Sequence, residues 1–479
     1  NTGMRENDFS LTLGYSHNAW RFETGYSLFA QKIGVMQSAQ MGNEQLLQER
    51  IRLGQPVDFT PFSRHIDYPF QQITHHNVYF KAFFDHEKIG HFAFQSTFQQ
   101  DNRRENRIRR LNHSDIPTVS LHLNSLQNSL VWNKGYQHWK SEAGAQLLIT
   151  DNTNERGTGV VPIIPNYTEV AFGLYALQKY TADRWGMEAG VRFDGQQTKA
   201  DGYDWTGRRY GGKRDFANFT YSLGGHYHIN KQLKLTSHFG VAWRAPHVYE
   251  LYSNGNELSS GIFVKGDSTL LSEQSYKWIT SLKYASKYFD VQLDGYLQWI
   301  NNYIFDQPTG QNITVVSGAY PVFQYRQTRA FFQGVDLDAH VRPLSSLDYH
   351  LVTAMIWARE MPSHAYLPYI PSFRLTHSLT WSLPFFKAFS PKIGLSHRFV
   401  AKQTRFNPAT DLIATSPDAY YLMGFELSFS VPMREGQSLR VGLMGDNILN
   451  REYKEYTNRS RYYAHDMGRD VRCMITWNF

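Results

Sequence analysis

The chain is 479 residues long, with 41% hydrophobic, 19% charged and 15% aromatic residues, which excludes both a minimal domain and an intrinsically disordered chain. Its formal net charge is +7, yet no clustered basic helix, zinc spacing or RNA-binding signature accompanies it, so nucleic acid is not a predicted partner. A single cysteine, Cys473, excludes an internal disulfide framework and a cysteine-based metal cluster.

No run of about 18 apolar residues exists, so no transmembrane helix is predicted, and no signal peptide is recognisable. The chain starts at Asn1 rather than Met, so a processed form or a fragment is expected. The first predicted strand covers 8–15 and runs into a short turn at 16–19. A long loop at 33–74 follows, and the best helical stretch of the chain, 43–52, lies inside it. The adjacent His75 and His76 point to opposite faces of a strand and cannot simply share a metal. After a turn at 85–90 comes the loop 103–117, with its run Arg103-Arg104-Glu105-Asn106-Arg107-Ile108-Arg109-Arg110. Arg104 and Arg107 are candidates for pairing with the carboxylates of an anionic ligand. The blander uses are contact with lipopolysaccharide phosphates or simple solvation.

A turn at 133–135 and a loop at 151–167 lead to the turn 181–184 and one of the clearest strands. Trp185, Met187, Ala189, Val191 and Phe193 alternate there with Arg184, Gly186, Glu188, Gly190, Arg192 and Asp194. The loop 198–213 carries the candidate binding residues Tyr203, Trp205, Arg208 and Tyr210. Beyond the turn 229–232, the stretch 233–244 repeats the alternation and enters a long loop, 245–272, holding His247 and Tyr252. Residues 289–298 and 335–341 alternate in the same way, around the turns 286–288 and 344–346 and the loop 306–322. Loops at 359–370, 404–419 and 449–467 then alternate with turns at 385–390 and 434–437. The loop 449–467 combines Tyr456, Arg459, Arg461, Tyr462 and Tyr463, of which Tyr456, Arg459 and Tyr462 are binding candidates together with His465. Aromatic and cationic side chains so mixed suit an aromatic, anionic chelate, or equally the aromatic girdle at a membrane interface. In the last strand, 470–479, Val471, Cys473, Ile475, Trp477 and Phe479 alternate with Arg472, Met474, Thr476 and Asn478.

Period-two stretches of ten to fifteen residues, joined alternately by short and long connections, predict an all-β, transmembrane antiparallel β-barrel. About 19 strands are counted. The first runs toward a short turn, so the chain enters from outside. Bacterial barrels normally have even strand numbers, and three further strands before Asn1 would complete 22. No internal repeat of propeller length is found.

Several blocks then resemble the TonB-dependent outer-membrane receptors. Gly445-Asp446-Asn447-Ile448-Leu449-Asn450-Arg451-Glu452-Tyr453 is similar to that family's penultimate signature, and Gly468-Arg469-Asp470-Val471 with the strand to Phe479 to its terminal one. Phe332-Gln333-Gly334-Val335-Asp336-Leu337 resembles a glycine-then-acidic strand of the family. Trp243-Arg244-Ala245-Pro246, with Glu250-Leu251-Tyr252, Gly266-Asp267 and 270–273, resembles its mid-barrel block. The resemblance runs from about residue 240 to the end; the first half matches by architecture alone.

It implies a 22-strand barrel closed by an N-terminal plug, in the outer membrane of a Gram-negative bacterium. It also implies import driven by the inner-membrane TonB energy-coupling complex through an N-terminal segment not present here. On this reading 1–479 is a single barrel domain without its plug. His226 and His228, which flank outward-pointing Tyr227, are then expected to face the lumen and hydrogen-bond the plug rather than hold a metal. The cargo implied by the family is a scarce nutrient held as a small-molecule metal chelate, a ferric siderophore first. Haem, cobalamin and zinc are the alternatives. Haem receptors carry an Arg-Ala-Pro box followed by Asn-Pro-Asn-Leu, whereas this chain has Asp267-Ser268-Thr269-Leu270 at the second place and His247 directly after the first. The loop histidines His65, His113, His247, His364 and His465 would have to converge to chelate an ion. Lipopolysaccharide is an expected partner, and the resemblance leaves room for a surface lipoprotein. No cofactor and no enzyme activity are expected, because no Ser/His/Asp grouping stands out. The rival from another class is a passive diffusion porin, against which the C-terminal signatures and wide loops argue. A soluble all-β adhesin would extract without detergent.

Overall fold

The computed structural model describes residues 3–36, 42–56, 65–109, 112–204, 206–257, 259–383 and 389–478. In chain order the strands are β1 (Met4–His17), β2 (Trp20–Gly34), β3 (Phe70–His86), β4 (Gly90–Asn106), β5 (Val119–Tyr136), β6 (Trp139–Asn154), β7 (Asn166–Thr181), β8 (Trp185–Tyr203), β9 (Arg209–His228), β10 (Leu233–Arg244), β11 (Asn254–Glu257), β12 (Ile262–Lys265), β13 (Glu273–Ala285), β14 (Phe289–Val315), β15 (Gly318–Leu344), β16 (Leu347–Glu360), β17 (Arg374–Ser382), β18 (Lys392–Val400), β19 (Tyr420–Pro432), β20 (Ser438–Asp446) and β21 (Asp470–Asn478). Two helices, α1 (Glu44–Leu53) and α2 (Val248–Tyr252), lie in long connections. The strands form a 21-stranded sheet of antiparallel neighbours, with one short parallel pairing, β12 on β15. Two of them, β11 and β12, are four-residue strands inside a loop, and the other nineteen match the strand count read from the alternation. The final Phe479 of the predicted closing strand lies outside the described residues.

By contacts the chain divides into two compact units. The first comprises Asn1–Gly224, Gly240–Tyr276 and Ile300–Thr328; the second comprises Gly225–Phe239, Lys277–Trp299 and Arg329–Phe479.

In both units the alternation has an unusual outcome. Trp185, Met187, Val191 and Phe193 of β8 are exposed, as are Leu379 and Trp381 of β17 and Leu395 of β18. The largest fully buried side chains include Leu47, Leu251, Leu270, Leu367, Tyr462 and Tyr463, none of them in a strand of the wall. Most of the largest buried side chains therefore lie in the connections, with Phe323 near the start of β15, while many large apolar side chains stand open along the strands. A surface of that kind matches a hydrocarbon surround rather than water. Among the described residues no helix is long and apolar enough to cross a membrane, which says nothing against crossing by strands.

The expected helix forms within its loop. Asn43 caps it by accepting the Leu46 N–H at 3.0 Å, and Gly54 ends it in the left-handed conformation. The short turns fall where the pattern put them, except that β5 continues to Tyr136 and moves its turn to 137–138. Part of the turn expected at 385–390 lies outside the described residues.

Two expected loops are mostly strand. At 198–213 the chain reverses in a tight turn, where Asp204 accepts the backbone N–H of Thr206 and of Arg208. An Arg209–Asp201 ion pair then bridges the extended hairpin. At 306–322, β14 and β15 run 27 residues each, and the β-favouring stretch Ile313-Thr314-Val315 carries the ladder to the tip. Glu44 of α1 accepts a hydrogen bond from Asn312 of this hairpin at 3.0 Å.

Candidate functional site

In the first unit the mid-barrel block is an interlocked corner. At the end of β10, the Trp243 indole N–H donates to Asp194 at 3.1 Å, and Asp194 accepts from Arg192 at 2.8 Å. That pair lies across the backbone of Gly173, where an added Cβ would run into the Arg192 guanidinium. Arg244 bridges Glu250 at 2.6 Å and Glu273 at 3.1 Å. Gln146, Arg192, Asp194, Gln196, Trp243 and Arg244 help to line an open concavity of about 520 Å³.

His247 is the N-cap of α2. Its Nδ1 accepts the Tyr249 N–H at 3.1 Å, while Glu250 accepts the His247 N–H at 2.7 Å, completing a capping box. His247 is exposed, yet the protein packed around it disfavours the charged imidazolium. Its pKa is lowered by that desolvation, with Arg244 adding to the effect and Glu250 opposing it. Val248, Leu251 and Tyr252 bury themselves against Tyr167, Leu270 and Ile304. Tyr252 thus packs into the unit's apolar cluster, and Tyr210 flanks the same cluster, half-buried.

Arg107 is buried. Its Nη2 donates to the Asn256 carbonyl at 3.1 Å and its Nη1 to Tyr320 Oη at 3.4 Å, while its Nε has no partner among the described residues. It borders a small cavity of about 60 Å³ beside Thr118 and Ser317. Arg104 is exposed, 3.8 Å from Glu155, which also binds His122 at 2.6 Å. Tyr203 and Arg208 are exposed at the β8–β9 hairpin tip; Trp205 lies outside the described residues.

In the second unit, Arg461 and Asp411 form an ion pair whose side chains are each only 2% exposed. Asp411 also accepts from Tyr462 Oη at 2.8 Å, and Tyr462 Oη meets Tyr369 Oη at 3.2 Å. Burial pushes the Tyr462 and Tyr456 hydroxyls up, the latter to about 12, so both are neutral hydrogen-bonding groups. Tyr456 is itself buried, with its carbonyl accepting from Arg461 Nε at 2.8 Å. Arg459 lies over the Tyr369 ring, 4.8 Å from its centroid, and His465 is exposed nearby in the chain. Arg359 sits over Tyr366 at 4.7 Å and Arg405 over Trp357 at 5.3 Å. The structure thus joins Tyr456, Arg459 and Tyr462 to Tyr369 and Asp411, which the sequence reading did not single out, and the same unit holds two further cation–aromatic pairs, Arg359 on Tyr366 and Arg405 on Trp357. The local signal available was an arginine close to an aromatic in sequence, as in Trp357-Ala358-Arg359 and Arg405-Phe406.

The loop histidines do not supply the metal-capable group. Among the described residues that group is Asp338, His340 and His350, on the polar face of β15 and β16. His226 and His228 do sit together, their rings 5.6 Å apart, with Tyr227 exposed on the other face.

The family model described as TonB dependent receptor-like, beta-barrel, matches residues 3–448. TonB-dependent heme receptor A of Haemophilus influenzae (strain 86-028NP) is 22% identical over 356 residues. The match takes in 66% of this chain and 46% of that protein, so the chain spans about half the length of its curated relative. Among solved structures, the copper transporter OprC superposes with a TM-score of 0.75 at 13% identity, covering 98% of this chain and 71% of that one. The FrpB iron transporter of Neisseria meningitidis (F3-3 variant) gives 0.71 at 12% identity, covering 98% and 71%. The ferric-catecholate import receptor Fiu of K12 E. coli gives 0.70 at 13%, covering 99% and 75%. At these identities the superpositions speak for the fold, and the family match carries the assignment: the chain belongs to the TonB-dependent receptors, as their β-barrel.

Proposed function

We propose that this barrel serves, in the outer membrane, as the receptor for a small anionic metal chelate, a ferric siderophore first. Uptake would be driven by the inner-membrane TonB energy-coupling complex. The observation that carries the cargo class is the set Arg359, Arg405 and Arg459, each laid over an aromatic ring in the second unit. Flat cations held on aromatic faces meet an aromatic, anionic chelate by stacking and charge pairing together.

The test is a titration of the detergent-purified chain with a ferric catecholate chelate, read by tryptophan fluorescence. Saturable binding is expected, weakened at least about tenfold when Arg359, Arg405 and Arg459 are all changed to Gln, in keeping with about 0.5–1 kcal/mol or more for each cation–aromatic contact. A triple variant that binds as the parent does would remove these arginines from the site, and a parent that binds nothing and conducts ions steadily in planar bilayers would favour a passive pore.

Haem is the second reading. It is supported by the similarity to a heme receptor and by the exposure of His247, whose Nδ1 is committed to the helix cap. Titration with hemin, followed by its absorbance, separates the two cargoes.

A further inference from the structure

We infer that β15 and β16 carry a binding site for a divalent transition-metal ion, built from His340, His350 and Asp338. His340 and His350 are direct cross-strand partners on the polar face. Their rings lie parallel, 3.9 Å between centroids and 7° between planes. Asp338, two residues before His340 on the same face, approaches His350 Nε2 at 3.1 Å. One donor atom from each of the three residues lies within 4.8 Å of the other two. A four-coordinate ion with bonds of about 2.0–2.1 Å asks for donors roughly 3.3 Å apart, which modest side-chain rotation reaches.

The surrounding groups orient the set. Asp348 takes His340 Nδ1 at 2.8 Å with one oxygen and Arg342 Nε at 2.7 Å with the other. Asp348 is thereby committed, and a His340 that donates Nδ1–H to it presents the Nε2 lone pair. A carboxylate behind an imidazole in this way is the arrangement that fixes ligating histidines in metal sites. A single divalent ion satisfies both rings and the Asp338 carboxylate at once. Two imidazoles and one carboxylate suit Zn²⁺, Ni²⁺ or Cu²⁺ rather than Ca²⁺ or Mg²⁺, and they leave a coordination position open. The site lies on the wall, near the short turn between β15 and β16, and not among the arginines assigned to the chelate. It stands or falls apart from that assignment, because its probe is the ion alone.

The test uses the untagged, detergent-purified full chain, stripped of metal and titrated with Zn²⁺ alone at neutral pH by calorimetry. One Zn²⁺ per chain is expected at micromolar concentrations. H340Q and H350Q should each weaken it at least tenfold, and H226Q should leave it unchanged. Co²⁺ in place of Zn²⁺ should give the visible absorption of a low-coordinate site in the parent and lose it in both variants. D348N, which unlocks only the orientation of His340, should weaken binding less than H340Q. If a histidine variant fails to insert, the near-isosteric D338N reads the same site, with a loss of binding expected. The inference is overturned if the parent binds no Zn²⁺ up to millimolar concentration. It is equally overturned if H340Q, H350Q or D338N binds as the parent does.

Discussion

Asn447 holds a φ of +46°, and its side chain brackets one residue twice: Oδ1 accepts the Arg451 N–H at 2.8 Å while Nδ2 donates to the Arg451 carbonyl at 2.9 Å. Three residues on, Asn450 repeats the conformation at +51°, and its Oδ1 accepts the Arg469 N–H at 3.0 Å. Asparagine tolerates the left-handed region and can bond the backbone it has just turned, so the Asn-x-x-Asn pattern after β20 has a local physical cause. The two contributions separate experimentally. Asn447→Gly keeps the backbone conformation and loses the bracket, an expected cost of about 1–2 kcal/mol for two hydrogen bonds at a buried site. Asn447→Ala loses the bracket and also strains φ, adding about 1 kcal/mol. Urea unfolding of both variants in phospholipid vesicles measures the difference. Equal midpoints for Ala and Gly would mean the left-handed turn is not what the residue supplies.

At the scale of elements, Asp411 and Arg461 tie the loop after β18 to the loop before β21, and they are 50 residues apart in sequence. Removing one partner of a buried pair leaves the other charge stranded, at about 3–5 kcal/mol, whereas replacing both by apolar groups is often close to neutral. Asp411→Ala is therefore expected to loosen both loops and admit trypsin at Arg459 and Arg461, and Asp411→Leu with Arg461→Met to restore resistance. If the single variant resists trypsin as well as the double, the pair is not a latch. The same pair marks what the sequence could not reveal. The strands and α1 were legible because alternation, an N-cap asparagine and a terminal glycine are local signals. Arg461 and Tyr462 stood in a visibly aromatic, cationic loop, but no spacing rule points from them to Asp411. Arg107 was read as part of an exposed charge run, yet Asn256 and Tyr320 bury it from segments distant in sequence. The hairpins at 198–213 and 306–322 were read as loops because their polar composition outweighed pairing that continues past the apolar band.

Over the whole molecule, burial is inverted relative to a protein in water, and that inversion is the main physical argument for a hydrocarbon surround. Even its polar exceptions obey the rule. His377 and His397 lie on the apolar face, in register with each other and between Leu379–Leu395 and Leu375–Phe399. His377 Nε2 and His397 Nδ1 are 2.9 Å apart, so each imidazole gives the other the partner that lipid cannot. The faces can be told apart by placing one charge on each of two consecutive residues of β17. Leu379 is exposed on the apolar face, opposite Tyr349 and Leu395; Thr380 faces the other way, opposite Asp348 and Gly394. Leu379→Arg should cost about 2–4 kcal/mol in vesicles if its depth is near the bilayer midplane. Thr380→Arg should cost close to nothing, since its new charge stands on the polar face, in water. In detergent-free buffer, where no hydrocarbon distinguishes the faces, the contrast should vanish along with the fold. Reversible urea unfolding of the two variants in vesicles decides it. A larger loss for Thr380→Arg than for Leu379→Arg would turn the wall inside out and, with it, place His340 and His350 against lipid, where no ion could reach them.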